Sequence, residues 1–262
     1  MIKAKKSLGQ NFLIDKNIIN KIADVTDIEN KCVLEVGPGT GSLTSALYKK
    51  KPKKIIVVEK DKRLVELLNK DFENKIDIIN NDILKIDENS LNNEPLIVFG
   101  NLPYNISTEI LCKWILNIQN DDPWFNSLVL MFQKEVADRI ISEFNTKNYG
   151  RISILANWRL NIKKICDIKP SSFSPKPKID SSLLFFNHKN EYFKFKDSKN
   201  LEKITRVFFM HRRKMIKKPF NQLFNGKFDL SSKLKIDLSL RPQNLNFLTY
   251  YKLTREYENL RG

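Results

Sequence analysis

The sequence predicts an α/β protein: a mostly parallel sheet covered by helices on both faces, followed by a smaller helical segment. Three observations predict it. Apolar runs of strand length alternate with stretches of helical spacing from residue 16 onward, strand signals fade after residue 187, and the charge balance changes at the same place. Residues 1–185 hold 28 basic and 23 acidic side chains, whereas residues 186–262 hold 18 and 7. The expected division is therefore a sheet domain over 1–187 and a basic helical domain over 188–262.

The elements follow in order. Residues 16–29 place Ile18, Ile19, Ile22, Ala23 and Val25 on one helical face. A buried strand is expected at 32–36, ended by Gly37, Gly39 and Gly41, and helical spacing resumes over 43–48. A second apolar run at 55–58 completes a strand, turn, helix, strand unit. A helix over 63–70, strands at 76–79 and 96–99, a helix over 107–116, a strand at 127–132 and a helix over 134–144 continue the alternation. Residues 151–158 read as a further helix. Strands at 163–168 and 182–186 flank the loop 170–180 and are placed as an antiparallel edge. Beyond it, 201–216, 227–234 and the tail read as helical or loop-like.

Composition narrows the function. The 262 residues carry a net charge of +16 with a pI near 9.6, so polyanions are the first partners to consider, and 41% hydrophobic content excludes a disordered basic tail. Only 8 glycines stand against 36 lysines and 28 asparagines, a bias toward A/T-rich codons. That bias explains Lys in place of Arg but leaves the net charge unexplained. Cys32, Cys112 and Cys166 are scattered and only two histidines occur, which argues against a disulfide framework or a zinc site. The basic N-terminus precedes no apolar segment, and no run approaches the roughly 18 apolar residues of a membrane span. A cytoplasmic protein with no membrane partner and no metal is expected.

Three of the eight glycines fall within Gly37–Gly41. Between a strand and a helix such a turn lets a ligand approach main-chain N–H groups, because no Cβ intervenes. Glu59 then ends the next strand, where a carboxylate can accept from both ribose hydroxyls of a nucleoside. The dinucleotide spacing fails at Ser42, while Glu35-x-Gly37-x-Gly39-x-Gly41 has methyltransferase spacing, so S-adenosylmethionine (SAM) is the expected cofactor. A tight turn without ligand is the plainer alternative, and Glu59 weighs against it. Asp82, after the third strand, either accepts from an adenine amine or only caps a helix.

Asn101-Leu-Pro-Tyr104 follows the strand at 96–99 and has the form (Asp/Asn/Ser)-x-Pro-(Tyr/Phe). The exocyclic amine of adenine is a poor nucleophile, since its lone pair is delocalised into the ring. Two acceptors side by side, the Asn101 side-chain oxygen and the Leu102 carbonyl, would draw the nitrogen toward tetrahedral geometry, with Pro103 fixing the backbone. Tyr104 would stack on the base, contributing about 1–3 kcal/mol against the cost of unstacking it. The alternative is a simple loop with Ser107 or Thr108 capping the next helix. From residue 203 to residue 228 there are Lys203, Arg206, Arg212, Arg213, Lys214, Lys217, Lys218 and Lys227 and no acidic residue, a pattern suited to phosphate contact rather than to a merely solvated face.

With these residues in place the sequence resembles the ribosomal RNA adenine N6-dimethyltransferases, the KsgA family, over nearly its whole length. The resemblance rests on the segment from Lys6 to Leu13, the glycine turn, Val58-Glu59, Asn81-Asp82, the segment from Asn101 to Ser107, the segments 131–136, 149–153 and 173–181, and Phe209 to Lys214. It implies a class I SAM-dependent methyltransferase sheet of seven strands, Rossmann-like, with a small α-helical C-terminal domain. It implies transfer of two methyls to N6 of each of two adjacent adenosines near the 3′ end of 16S-type small-subunit rRNA, late in subunit biogenesis, by a monomer. By resemblance Asn11, Leu13, Gly37, Glu59, Asp82 and Asn101 contact SAM, with Gly39 and Gly41 shaping the same turn, and Phe173 holds the second face of the flipped adenine. Arg206, Arg212, Arg213, Lys214, Lys217 and Lys218 are the expected RNA contacts. The chain starts close to Lys6, without the longer basic lead of some relatives, so weaker initial RNA docking is expected. Leu102 and the segment 209–214 favour the small-subunit branch over resistance methyltransferases of large-subunit RNA. An assembly factor without turnover and an NAD-dependent oxidoreductase are the competing readings; Asn101 with Tyr104 opposes the first, Ser42 the second.

Overall fold

In the computed structural model, residues 3–5, 8–118, 123–225 and 228–261 are described. The elements are β1 (Phe12–Leu13), α1 (Lys16–Ala23), β2 (Cys32–Val36), α2 (Ser42–Tyr48), β3 (Lys54–Glu59), α3 (Lys62–Phe72), β4 (Asp77–Asn80), β5 (Leu96–Gly100), α4 (Ser107–Leu116), β6 (Phe125–Gln133), α5 (Lys134–Ile140), α6 (Arg151–Arg159), β7 (Leu160–Ile168), β8 (Phe173–Ser174), β9 (Ser181–His188), α7 (Lys199–Phe209), α8 (Lys217–Phe224), α9 (Phe228–Lys233) and α10 (Phe247–Asn259). The chain divides into two compact units, Met1–Ala137 with Asn161–His188, and Asp138–Leu160 with Lys189–Gly262.

The first unit is built on a seven-stranded sheet in the order β4-β3-β2-β5-β6-β9-β7. The pairs β3·β4, β2·β3, β2·β5 and β5·β6 are parallel and β6·β9 is antiparallel. This is the sheet of a class I SAM-dependent methyltransferase. Strands β2 and β5 are buried at every position, which is why they read as continuous apolar runs rather than as alternating ones. The two strands expected at the edge are neighbours there, with β9 between β6 and β7. A second, two-stranded sheet joins β1 to β8, with Phe12 opposite Ser174 and Leu13 opposite Phe173.

Helix boundaries follow their caps. Asp15 starts α1 by accepting from Asn17 N and Ile18 N at 3.0 and 3.3 Å. Ile19 and Ile22 then go into the core, each burial contributing about 1.5–3 kcal/mol. The helix stops at Asp24, short of the expected residue 29, and α5 stops at Ile140 rather than 144. α3 runs from Asp61, its N-cap, to Glu73, whose left-handed φ of 45° ends it.

In the second unit α6 packs against α7 and α10, burying Ile154, Leu155 and Trp158, and Tyr251 Oη donates to Ile154 O at 3.2 Å. That burial groups residues 138–160 with the C-terminal helices, so the division falls at three points in the chain rather than at residue 188 alone. Glu258, buried near the end of α10, accepts from Lys196 N, Asp197 N and Asn200 Nδ2 at 3.0–3.1 Å and ties down the start of α7. The helical run expected over 201–216 ends at Phe209, and α8 begins at Lys217.

Candidate active site

A cavity of about 380 Å³ opens beyond the C-terminal ends of β2, β3, β4 and β5, the place where open α/β sheets bind ligands. The glycine turn, the ends of β3 and β4, the β5–α4 loop and residues 8–13 of the N-terminal segment line it. Sequence-distant residues with related expected roles are thus brought to one concavity.

The glycine turn is left-handed at all three glycines, with φ of 70°, 59° and 79° at Gly37, Gly39 and Gly41. A side chain there would be strained, and at Gly39 a Cβ would sit 2.9 Å from the Phe12 ring. Gly37 N donates to Val58 O at 3.0 Å, anchoring the turn to β3. Behind it Glu35 is buried and accepts from Thr44 Oγ1 at 2.6 Å. Burial, opposed by that hydrogen bond and reinforced by nearby Glu59, pushes its carboxyl up to about 7.

Glu59 is also buried, and burial raises its carboxyl above the usual range although the backbone N–H groups of Asp61, Gly39 and Lys60 hold the charged form. Asp61 N donates to Glu59 Oε1 at 2.8 Å. Asp61 itself is a clasp: it accepts from Gln10 Nε2 at 3.1 Å, Lys5 Nζ at 3.3 Å, and Arg63 Nε and Nη2 at 3.1 and 2.6 Å. The Arg63 guanidinium, with Gln10 and Lys5, holds its carboxyl far below the carboxylate range. Arg63 Nη1 also donates to Lys3 O at 3.3 Å, so Lys3, Lys5 and Gln10 are all held beside the end of β3. Asp82 accepts from Lys60 Nζ and Leu84 N at 2.8 and 3.1 Å, and Lys60 lowers its pKa. It therefore caps a short 3₁₀ turn, as its plainer alternative had it, while lining the cavity.

On the opposite wall Asn101 Nδ2 donates to Asn11 O at 2.9 Å. A main-chain carbonyl only accepts, so this bond fixes the amide nitrogen toward the N-terminal segment and turns Oδ1 the other way. The Leu102 side chain is buried against Gly100, where a Cβ would meet Leu102 Cδ2 at 2.8 Å. Ile106 N donates to Pro103 O at 3.1 Å and Ser107 Oγ to Tyr104 O at 3.2 Å, closing the loop onto α4. The Tyr104 hydroxyl lies 2.6 Å from Ser181 Oγ.

These walls fit SAM. The glycine turn leaves no Cβ between a ligand and main-chain N–H groups, Glu59 and Asp82 present carboxylates suited to ribose hydroxyls and an adenine amine, and the rest of the lining is largely apolar. Among the described residues no group of three or more His, Cys, Asp or Glu converges as a metal site would require, and no helix is long and apolar enough to cross a membrane.

Asn11, Leu13, Gly37, Gly39, Glu59, Asp82, Asn101, Leu102, Pro103 and Tyr104 all line the cavity. Gly41 does not; it is the N-cap of α2, packed so that a Cβ would meet Leu68 and Phe72 at 3.0 Å. Phe173 needs correction as a stacking platform: its ring is 1% exposed within the hydrophobic core, outside the cavity lining, and offers no face to a base. Arg206, Arg213, Lys214, Lys217 and Lys218 are exposed in the second unit. Arg212 is a brace as well as a cation, since Nη2 donates to Lys147 O and Nε to Gln243 Oε1 at 3.1 Å. Lys6, Ser7 and Lys227 lie outside the described residues. Sequence reasoning missed Asp61 and Ser181; Asp61 binds Gln10 and Lys5, 51 and 56 residues away, and Ser181 binds Tyr104, 77 residues away, so only the proximity of Asp61 to Glu59 and Arg63 offered a signal.

The family model for ribosomal RNA adenine dimethylase matches residues 1–259. The chain is 65% identical over 261 residues to ribosomal RNA small subunit methyltransferase A of Pelagibacter ubique (strain HTCC1062), covering 100% of this chain and 99% of that protein. It is similar to the crystal structure of a dimethyladenosine transferase from Plasmodium falciparum, with a TM-score of 0.76 at 25% identity over 94% of this chain and 98% of the other. The 23S rRNA methyltransferase ErmE shares the fold, with a TM-score of 0.68 at 21% identity over 95% and 100% of the two chains. With its glycine turn, Glu59 and Asn101–Tyr104 gathered on one cavity, the chain belongs to the ribosomal RNA adenine dimethylase family.

Proposed function

We propose that this SAM-dependent rRNA adenine dimethyltransferase transfers two methyl groups to N6 of each of two adjacent adenosines near the 3′ end of 16S-type rRNA. The observation that carries the reading is the opening of the Asn101–Tyr104 loop into the cavity that also holds the glycine turn and Glu59. Methyl donor and acceptor amine thereby share one chamber.

SAM supplies a methyl group on a positively charged sulfur. Glu59 would accept from its ribose and Asp82 from its adenine, and residues 11–13 with the glycine turn would hold the remainder. Asn101 Oδ1 and the Leu102 carbonyl take the two hydrogens of the target amine, Pro103 keeps these acceptors in one backbone geometry, and Tyr104 stacks on the extruded base. No strong general base is needed, because the nitrogen sheds its proton readily once methylated. The same acceptors serve the second transfer with one hydrogen fewer.

The substrate is the small ribosomal subunit at a late stage of its assembly, bound by a cytoplasmic monomer. The small-subunit name of the Pelagibacter relative supports small-subunit RNA as the substrate. Arg206, Arg213, Lys214, Lys217 and Lys218 contact RNA phosphates, positioning a folded RNA by shape. Labelled methyl transfer to undermethylated small subunits and to naked large-subunit RNA, followed by nucleoside analysis, tests the reading. N6,N6-dimethyladenosine on the small subunit is the expected product; label confined to large-subunit RNA overturns it.

A further inference from the structure

The segment 173–181 carries part of the family resemblance, yet none of the roles above uses its last residue. Ser181 is wholly buried at the first position of β9, opposite Gln133 of β6, and Lys134 N donates to the neighbouring Asp180 O at 2.9 Å. Its hydroxyl is thus mounted on the sheet. It hydrogen-bonds the Tyr104 hydroxyl of the loop, at 2.6 Å between oxygens.

A stacking ring works only if its face is held at a fixed tilt to the acceptors that grip the amine. Asn101 and the Leu102 carbonyl belong to the same loop as Tyr104, so the near end of the ring is set by the backbone contacts at Pro103, Tyr104 and Ser107. Those contacts leave the side-chain torsions free, and the far end of a tyrosine sweeps farthest when they change. A hydrogen bond at the hydroxyl is the restraint that stops this sweep. Burial raises the Tyr104 pKa, so the phenol keeps its proton and the pair shares a neutral hydrogen bond.

We infer that Ser181 is a positioning residue for methyl transfer: its sheet-mounted hydroxyl pins the Tyr104 ring in the plane that receives the target adenine. The inference rests on the proposed reaction at N6. Ser181 touches neither methyl donor nor amine, and its effect passes entirely through the ring. Since the loop motif also admits Phe at the Tyr104 position, the pin refines a platform that stacking alone sustains, so a moderate loss is expected.

The test uses the full chain as wild type, Ser181→Ala, Tyr104→Phe and the double variant, in single-turnover methyl transfer to undermethylated small subunits, with SAM affinity and subunit KM measured alongside. Each single variant is expected to slow transfer roughly tenfold at saturating substrates, by analogy with small misplacements of reacting groups. The double variant should be no slower than either single one, and SAM affinity and KM should stay within about twofold of wild type, because both changes delete the same bond. Losses that multiply to about a hundredfold, a Ser181→Ala rate equal to wild type, or a loss accompanied by weakened SAM binding overturn the inference. Should Ser181→Ala not fold, Tyr104→Phe decides alone: a wild-type rate refutes the pin and a tenfold slower rate with intact SAM binding upholds it. A wild-type chain that methylates no adenosine brings down the functional reading and this inference with it, whereas an active wild type with fully active variants brings down only the inference.

Discussion

The two ends of the cavity are made of different chemistry. At the proposed cofactor end three carboxylates line the cavity, with Asp61 near Glu59 in the chain, and each of the four is perturbed: burial raises Glu35 and Glu59, while Arg63 lowers Asp61 and Lys60 lowers Asp82. At the proposed amine end stand Asn101, the Leu102 carbonyl, Pro103 and Tyr104, with Ser181 bonded to the phenol from outside the lining, all neutral, and burial drives the phenol further from ionising. Holding a hydroxyl-rich donor calls for carboxylate acceptors. Gripping a neutral amine calls for acceptors whose protonation never changes. The protein separates these tasks, and variants at the two ends should fail in different ways.

The largest effect is expected at the amine end. Asn101→Ala removes the proposed acceptor for the target amine, and single-turnover methylation should fall by about 10²–10³, the loss typical of one preorganised polar contact, while small-subunit binding persists. A variant that methylates normally but cannot bind RNA would erase the proposed contrast. The next effect is on stability. Because burial lifts the Glu35 carboxyl to about 7 from its ordinary 4.5, the fold favours the protonated form, and its contribution is complete below 4.5 and drains away as pH rises to 7. Glu35→Gln is neutral throughout, so in urea unfolding it should match wild type near pH 4.5 and exceed it by up to about 3 kcal/mol above pH 7. Parallel pH profiles would show that the cofactor end stores no such electrostatic strain. Smallest is Glu59→Gln, which keeps the shape but trades charge-assisted for neutral hydrogen bonds. Calorimetry should show SAM binding weakened roughly tenfold, with the rate at saturating SAM unchanged.

Which parts of this site were legible in the sequence follows the range of the forces involved. The buried strands β2, β3 and β5, the glycine turn and the Asn101–Tyr104 loop announce themselves locally, because strand burial, left-handed turns and a proline-fixed loop each demand particular residues at adjacent positions. Helix ends were less legible: Ile18 to Val25 keep helical spacing, but α1 yields at Asp24. The two-residue strands β1 and β8 are too short to carry a pattern and exist only because they find each other across the chain. Phe173 illustrates the limit most clearly. An aromatic among prolines signals a loop, yet whether its ring faces solvent or core depends on Leu13, which lies opposite it, 160 residues earlier. The Lys5 and Gln10 contacts of Asp61, the Ser181 contact and the brace at Arg212 are likewise pairings between distant residues, and no single segment encodes them.

The bond from Asn101 Nδ2 to the Asn11 carbonyl reaches further than anchoring. A carboxamide is nearly symmetric in shape and opposite in polarity at its two ends, and a half-turn would present hydrogens to an amine that already has two of its own. By engaging the nitrogen, the backbone at residue 11 decides which end faces the substrate. For the proposed reaction the N-terminal strap is therefore a polarity key: it makes the difference between a site that attracts an adenine amine and one of the same outline that repels it.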